Sequence, residues 1–537
     1  MIRTILLGAA VVFVSSIAVF ESLADQMGFT ALQSVTTNLN GSGIRLAQPE
    51  ADLSDPPPAF EVDPSNVGQP VTLFTYISDL GTNTGFPNSV GVDSGHADGV
   101  GARIYGMPFG LATNVAHVDS IDANSYYSNY VASDSLPDLG DAVINQSFTF
   151  GSEPGDGANQ VTVSEQQQID SQYDNYAVQN NTLFISAANN GGAVSPPATS
   201  YNCIGVGAFG ALTNTGWGPT LDNGRCKPDI NAPGTDTSTA TAETSGATVL
   251  MMQAAARGDG GADIASAGDM RTVKALILNG AVKPVGWTNG AASPLDARYG
   301  AGVLNIFNAY EQLIGGQHGY SGSANVLLGA VHPPGTFSGP VNALHGWDFN
   351  TNTSTAFQDS INHYYFDVTN SSPGTVFTAT ATLVWNRAYN AAYMISPGTI
   401  NNLDLFLYDA STGSLVASSV STVDNVQHIY IPRLPAGRYD LQVWKAGGLG
   451  ISSASETYAL AFDYSSTELT VSESGGNVML SWPLYPDGFG VEASTDLLSQ
   501  HWTTNNLPPT VISGTTNVLT LSPTNSYEFF RLQRPDF

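Results

Sequence analysis

At 537 residues the chain is too long for one core, so about three domains are expected. Hydrophobic residues make up 42%, as in a globular protein, whereas charged residues are 11%, well under the roughly 25% of average domains. Lys and Arg number 16 against 45 Asp and Glu, and the net charge of -29 excludes a nucleic-acid or anionic-membrane surface, either of which needs basic patches.

In chain order, Arg3 precedes an apolar run from Ile5 to Phe20, and Ser22-Leu23-Ala24 puts small residues where a signal peptidase reads. The run is shorter than the roughly 20 apolar residues of a spanning helix, so residues 1–24 are expected to be a cleaved signal and the protein to be secreted, or held at a bacterial surface or periplasm. A short polar segment, 25–40, follows. From Gly41 the pattern Gly-x-Gly with Ile44, Leu46 and Ala47 predicts the first strand of a buried parallel sheet, ending at Glu50. Ligands and catalytic groups gather at such strand ends. Asp52, Asp79 and Asp93 compete with Glu50 for any role there.

Gly95-His96-Ala97-Asp98-Gly99-Val100 holds one of only two histidines before residue 318, the other being His117. His96 is therefore the candidate general base. Strands are expected over Leu111 to Asp119 and from Asp141 through Ser147 to Gly151. Between Val163 and Val178, Ile169, Tyr173 and Ala177 recur at helical spacing, and the strand Leu183 to Ala188 follows at once. Alternating helices and apolar strands mean a parallel sheet with right-handed crossovers, an α/β domain. Its fourth segment ends Asn189-Asn190-Gly191-Gly192, a favoured turn. Cys203 and Cys226 are the only cysteines, and in an oxidising compartment such a pair is expected to be a disulfide; with no neighbouring His they do not make a zinc site.

From Lys227 an apolar strand runs into Ala-Pro-Gly, then a loop of small polar residues, then Thr244-Ser245-Gly246-Ala247, predicted to open an Ala-rich helix. A serine at a helix start is exposed, and the helix N-terminus favours an anion beside it. Ser245 is thus the candidate nucleophile. A further helix is expected from Arg271 to Val282.

These segments, in this order, resemble the subtilisin-like serine peptidases over about residues 41–315: a Lys-Pro-Asp strand ending Ala-Pro-Gly, a Gly-His motif at His96, a Val-Ile-Asn strand at Ser147, Ala-Ala-Asn-Asn-Gly at Asn190, and the closing turn Tyr299 to Asn305. The resemblance implies that Ser245 attacks a peptide carbonyl to give an acyl-enzyme, that His96 is its base, and that Glu50 orients His96 where the family has Asp. It also implies that Asn190 donates to the oxyanion, and that Ser147 and Gly151 line the substrate cleft. No cofactor or metal is required for that chemistry. Glu243, where the family keeps Gly before Thr-Ser, is a departure, as are Ala97 and Asp98. The competing expectation is a catalytically inactive scaffold of the same fold, acting as an extracellular binding module.

From about His318 the pattern becomes β. Thr378 to Trp385, Asn402 to Tyr408 and Leu434 to Val443 alternate with period two, and residues 316–466 resemble the jelly-roll β domain that follows some bacterial subtilisin-like domains. A structural Ca²⁺ is allowed there, with Asp404 as one ligand. Residues 467–537 form a small C-terminal β module. The short stretch between Ala24 and the first strand leaves no room for a folded prodomain, and a monomer acting on protein or peptide substrates is expected.

Overall fold

The computed structural model describes the chain except residues 1–25, 52–56, 152–160, 211–214, 334–338, 370–376, 388–399, 497–500, 505–506, 523–527 and 534–537. The expected signal segment and Asp52 lie outside the described residues. Among those described, no helix is long and apolar enough to cross a membrane.

An eight-stranded sheet organises the N-terminal half. Its strands are β1 (Arg45–Glu50), β2 (Phe74–Ser78), β3 (Gly81–Asn83), β4 (His117–Asp122), β5 (Val143–Gln146), β6 (Leu183–Ala187), β7 (Cys203–Phe209) and β8 (Ile230–Pro233). They lie in the order β8-β7-β6-β5-β1-β4-β2-β3, and every pairing but that of β3 with β2 is parallel. Strands buried on both faces read as continuous apolar runs, as Leu183 to Ala187 does. The order reverses beside β1, so the carboxyl ends of β1 and β5 open onto the crevice where α/β sheets bind ligands. β4 starts at His117, not Leu111: Leu111 and Ala112 are buried in turns before it, and Ala116 donates its N–H to Ile44.

Among the described residues, the helices of seven residues or more that frame the sheet are α1 (Phe29–Val35), α2 (Gly95–Ile104), α3 (Val163–Asn180), α4 (Thr237–Ala256), α5 (Met270–Gly280) and α6 (Ile306–Ile314). Thr162 and Glu165 form a capping box on α3, which fixes its start where the sequence pattern begins. Helix α1 falls within the short polar segment and packs on α6 through buried Phe29 and Leu32. Helix α4 crosses under β5 to β8 and packs against α2. It is buried all round beyond its first turn, its polar side chains included. Each of Leu250 and Met251, wholly buried, contributes about 2 kcal/mol by leaving water.

The β half begins with a sandwich. One sheet orders Gly322–Leu327, Gln358–Asp367, Arg438–Lys445, Leu403–Asp409 and Ser414–Ser419; the other orders His345–Thr353, Ser455–Ser465, Phe377–Trp385 and Val426–Leu434. Inward side chains such as Phe366, Leu405, Leu441 and Phe462 form the core between them. The four-stranded sheet rests on α5 and α6. Arg387 beyond it reaches Asp174 of α3 at 2.7 Å. Two small antiparallel sheets between Thr470 and Gln533 complete the chain.

The expected disulfide is absent. Cys203 and Cys226 are both free. Cys203 begins β7, and its thiol turns into the 197–200 loop, 3.1 Å from the Ser200 carbonyl and 3.6 Å from Lys227 Nζ. Burial pushes the Cys203 thiol up to about 11 and the Cys226 thiol up to about 12, so both are protonated and unreactive.

Candidate active site

Glu50 is the last residue of β1 and is buried, its side chain aimed over the strand end. Its Oε2 lies 2.7 Å from Nδ1 of His96, and its Oε1 accepts from Gln48 Nε2 at 3.0 Å. The same Gln48 amide donates to the Ala97 carbonyl at 2.9 Å, and Tyr105 donates to Gln48 Oε1. Gln48 therefore ties the strand that carries the carboxylate to the helix that carries the histidine. Asp79 instead accepts from Asn129, and Asp93 is exposed on a short strand before α2. His117 stands at the opposite end of the sheet, opposite Arg45, bonded to Asp119 and Thr75.

His96 is the second residue of α2, whose start is capped by the Ser94 hydroxyl accepting from the Ala97 N–H. Its side chain remains 41% exposed, open to an incoming molecule. The hydrogen bond to Glu50 raises its pKa above the ordinary histidine value, opposed by partial burial and helped by the charges of Glu50 and Asp236. With Nδ1 committed to Glu50, Nε2 is the nitrogen left to take a proton. Asp98 points away from this pair and braces the preceding loop through the Asp63 N–H and Asn66.

The structure corrects the expected start of the next helix. Helix α4 begins at Thr237, and Ser245 lies in its third turn, 0% exposed, donating to Asn145 Oδ1 at 2.9 Å. Threonine is a modest helix former, which makes this stretch look like a loop. Inside the helix the hydroxyls of Thr241, Thr244 and Thr248 turn back on carbonyls four residues earlier at 2.7, 2.9 and 2.7 Å, so each is satisfied without water. Glu243 likewise does not adjoin the helix start. It is buried in the second turn, paired with Arg103 of α2 at 3.0 Å, and burial raises its pKa to about 7 against the pull of that guanidinium.

The residue at the helix start is Ser238, which sequence reasoning missed. Asp236 caps α4, its Oδ1 accepting from the Thr239 N–H at 2.8 Å and its carbonyl from the Ala240 N–H at 3.1 Å. The Thr237 N–H and hydroxyl both donate to Asn190 Oδ1, at 2.9 and 2.7 Å. Among the described hydrogen bonds this leaves the Ser238 N–H as the first-turn donor with no partner. The Ser238 hydroxyl donates to the Ser147 carbonyl at 3.2 Å, and the Ser147 hydroxyl returns a bond to the Ser238 carbonyl at 3.2 Å. Thr-Ser occurs twice in this stretch, at Thr237-Ser238 and Thr244-Ser245, and an aspartate N-cap directly before the first pair is the signal that distinguishes them.

Asn190 follows β6 in a turn shaped by Asn189, whose φ is 99° and whose Oδ1 accepts the Asn190 N–H at 2.8 Å. Because Oδ1 of Asn190 is held by Thr237, its exposed amide NH₂ is the end left to donate outward. Gly151, exposed after β5, has a φ of 111°, a left-handed conformation that suits glycine. The chain brings Glu50, His96, Asn190 and Ser147 to strand ends and loops on one side of the sheet, around the N-terminus of α4. In the sandwich, burial raises Asp404 to about 7, and its neighbour is Asn402 at 3.4 Å. Among the described residues no group of three or more His, Cys, Asp or Glu is arranged to hold a metal ion.

The sequence profile of the subtilase family, Peptidase_S8, matches residues 87–302. Among solved structures the chain is similar to the crystal structure of tripeptidyl peptidase 2, with 14% identity over 78% of this chain and 44% of that one, at a TM-score of 0.30. It is similar also to the PatG macrocyclase domain, with 16% identity over 53% of this chain and 94% of that one, at a TM-score of 0.29. The chain thus spans under half the length of the first of these. No curated protein matches it.

Proposed function

We propose, from the match of residues 87–302 to the subtilase family, that the protein is a secreted serine endopeptidase with Ser238, rather than Ser245, as its nucleophile. His96 takes the Ser238 hydroxyl proton at Nε2 as the oxygen attacks a peptide carbonyl. Glu50 holds the imidazole in the tautomer with Nδ1 protonated and stabilises the imidazolium that forms. The developing oxyanion is met by the Ser238 N–H and the Asn190 amide, both fixed before reaction. The same imidazolium then protonates the leaving amine, and water, deprotonated by His96, releases the acyl group. Ser147 and Gly151, on the loop beside the nucleophile, would contact the substrate backbone. The apolar segment before Ala24 supports export.

The observation that carries this reading is the unpartnered Ser238 N–H next to an asparagine whose oxygen is tied down, in the first turn of a helix whose N-cap, Asp236, is near enough for its charge to act on His96. One observation favours an inactive scaffold instead: the Ser238 hydroxyl donates to the Ser147 carbonyl and not to His96. Casein hydrolysis by the purified protein, beside Ser238→Ala and Ser245→Ala, separates the two. Activity in wild type and Ser245→Ala but not in Ser238→Ala supports the peptidase; no activity in any of the three supports the scaffold.

A further inference from the structure

Behind the nucleophile two charged side chains meet without touching the reacting atoms. Glu243, five residues along α4 from Ser238, is wholly buried; its Oε1 accepts from Arg103 Nη1 at 3.0 Å, and its Oε2 is buried with no partner. Arg103 stands in the last turn of α2, seven residues or two turns past His96 and so on the same helix face. The pair thus joins the helix bearing the base to the helix bearing the nucleophile.

Arg103 is 29% exposed while Glu243 is wholly buried, and a pair holding a buried carboxylate is weak evidence for stability, because apolar residues of similar volume commonly stabilise as well or better. Here one carboxylate oxygen is even left without a donor, so the pair is poorly explained as a stabilising device. A Cβ on Gly246 would come within 2.9 Å of Leu111 Cβ, in the segment after α2, which lets α4 approach closely but does not fix sliding. A directional hydrogen bond does fix it.

Resting on the peptidase reading, we propose that Arg103 and Glu243 are a positioning pair that sets α2 against α4 and thereby the reach of His96 Nε2 to the Ser238 hydroxyl. Neither residue contacts substrate. A shift of about 1 Å between base and nucleophile costs up to about 100-fold in rate.

The test compares wild type with Glu243→Gln, Arg103→Met and the double variant Arg103→Met/Glu243→Met, measuring kcat and KM on a peptide substrate, the rate of phosphonate labelling at Ser238, and Tm. The proposal expects the double variant to melt at or above wild type, yet to lose about tenfold to 100-fold in kcat and in labelling rate with KM within about twofold. Glu243→Gln, which keeps an oxygen to accept from Arg103, should retain more activity than Arg103→Met. A double variant with wild-type kcat overturns the proposal, as does a loss in all three that only follows the fraction folded. Wild-type protein that cleaves and labels at Ser238 keeps the peptidase reading standing whatever these variants do. Wild type that does neither overturns both.

Discussion

His96 Nδ1 and Glu50 Oε2 lie 2.7 Å apart, joining the start of α2 to the end of β1. Glu50→Gln keeps the size of the side chain but presents an amide that can donate to Nδ1, favouring the wrong tautomer. A fall in kcat of about 10³-fold or more is expected, with Glu50→Asp retaining more activity because it can still accept. Steady-state kinetics of both variants check this.

The same pair predicts a pH dependence. His96 is raised above 6.5 by its bond to Glu50, so the acid limb of kcat/KM should lie above 6.5 and move down in Glu50→Gln. The sign for stability follows: a histidine with a raised folded pKa contributes fully below 6.5, and that contribution is lost as pH rises through the raised value. NMR titration of the His96 ring in both proteins reads the shift directly.

Asn190 has two ends with different work. Asn190→Asp keeps an acceptor for Thr237 but removes the donor and brings a negative charge to the oxyanion. A loss of about 10²-fold to 10³-fold in kcat, with KM little changed, is expected. Circular dichroism and Tm near wild type would show that the cap on α4 survived.

Glu243 should make stability depend on pH. Its folded pKa is about 7 against 4.5 for the free side chain, so the folded form holds the proton more tightly. Its contribution is present below about 4.5 and lost as pH rises through about 7, by at most about 3 kcal/mol. Glu61 and Asp404, also raised to about 7, add slopes of the same sign. The test is therefore the difference between wild type and Glu243→Gln, with a smaller fall in Tm between pH 5 and 8 expected in the variant.

The free thiols make a simple prediction. Reductant should leave Tm unchanged, and a thiol reagent should find two groups in denaturant and react slowly with the native protein, since Cys203 is buried and Cys226 half-buried. An unfolded protein with no reactive thiol would contradict it.

Much of this was legible in the sequence, and the failures have physical causes. The strand ending at Glu50 shows in its Gly-x-Gly entry and apolar run, which act locally, whereas its pairing with His96 follows from the resemblance to subtilisin-like peptidases, with Asp52, Asp79 and Asp93 still competing. The start of α4 could not be read from composition, because Thr237 to Thr244 is helical only where its hydroxyls find internal carbonyls and its faces are covered by sheet and α2. Ser245, seven residues after Ser238, repeats the Thr-Ser motif two turns deeper in the same helix. Burial distinguishes them in the structure, and in the sequence the only signal is Asp236 before the first pair. The disulfide expectation failed for a related reason: the direction of the Cys203 thiol depends on where Lys227 and the 197–200 loop lie in space.

The most direct test of the account is the site of covalent labelling by a fluorophosphonate that reacts with activated serines, read by mass spectrometry of the folded protein. The account predicts a single modification on Ser238, absent from Ser238→Ala and from His96→Ala, and unchanged in Ser245→Ala. Modification at Ser245, or none in folded wild-type protein, would contradict it.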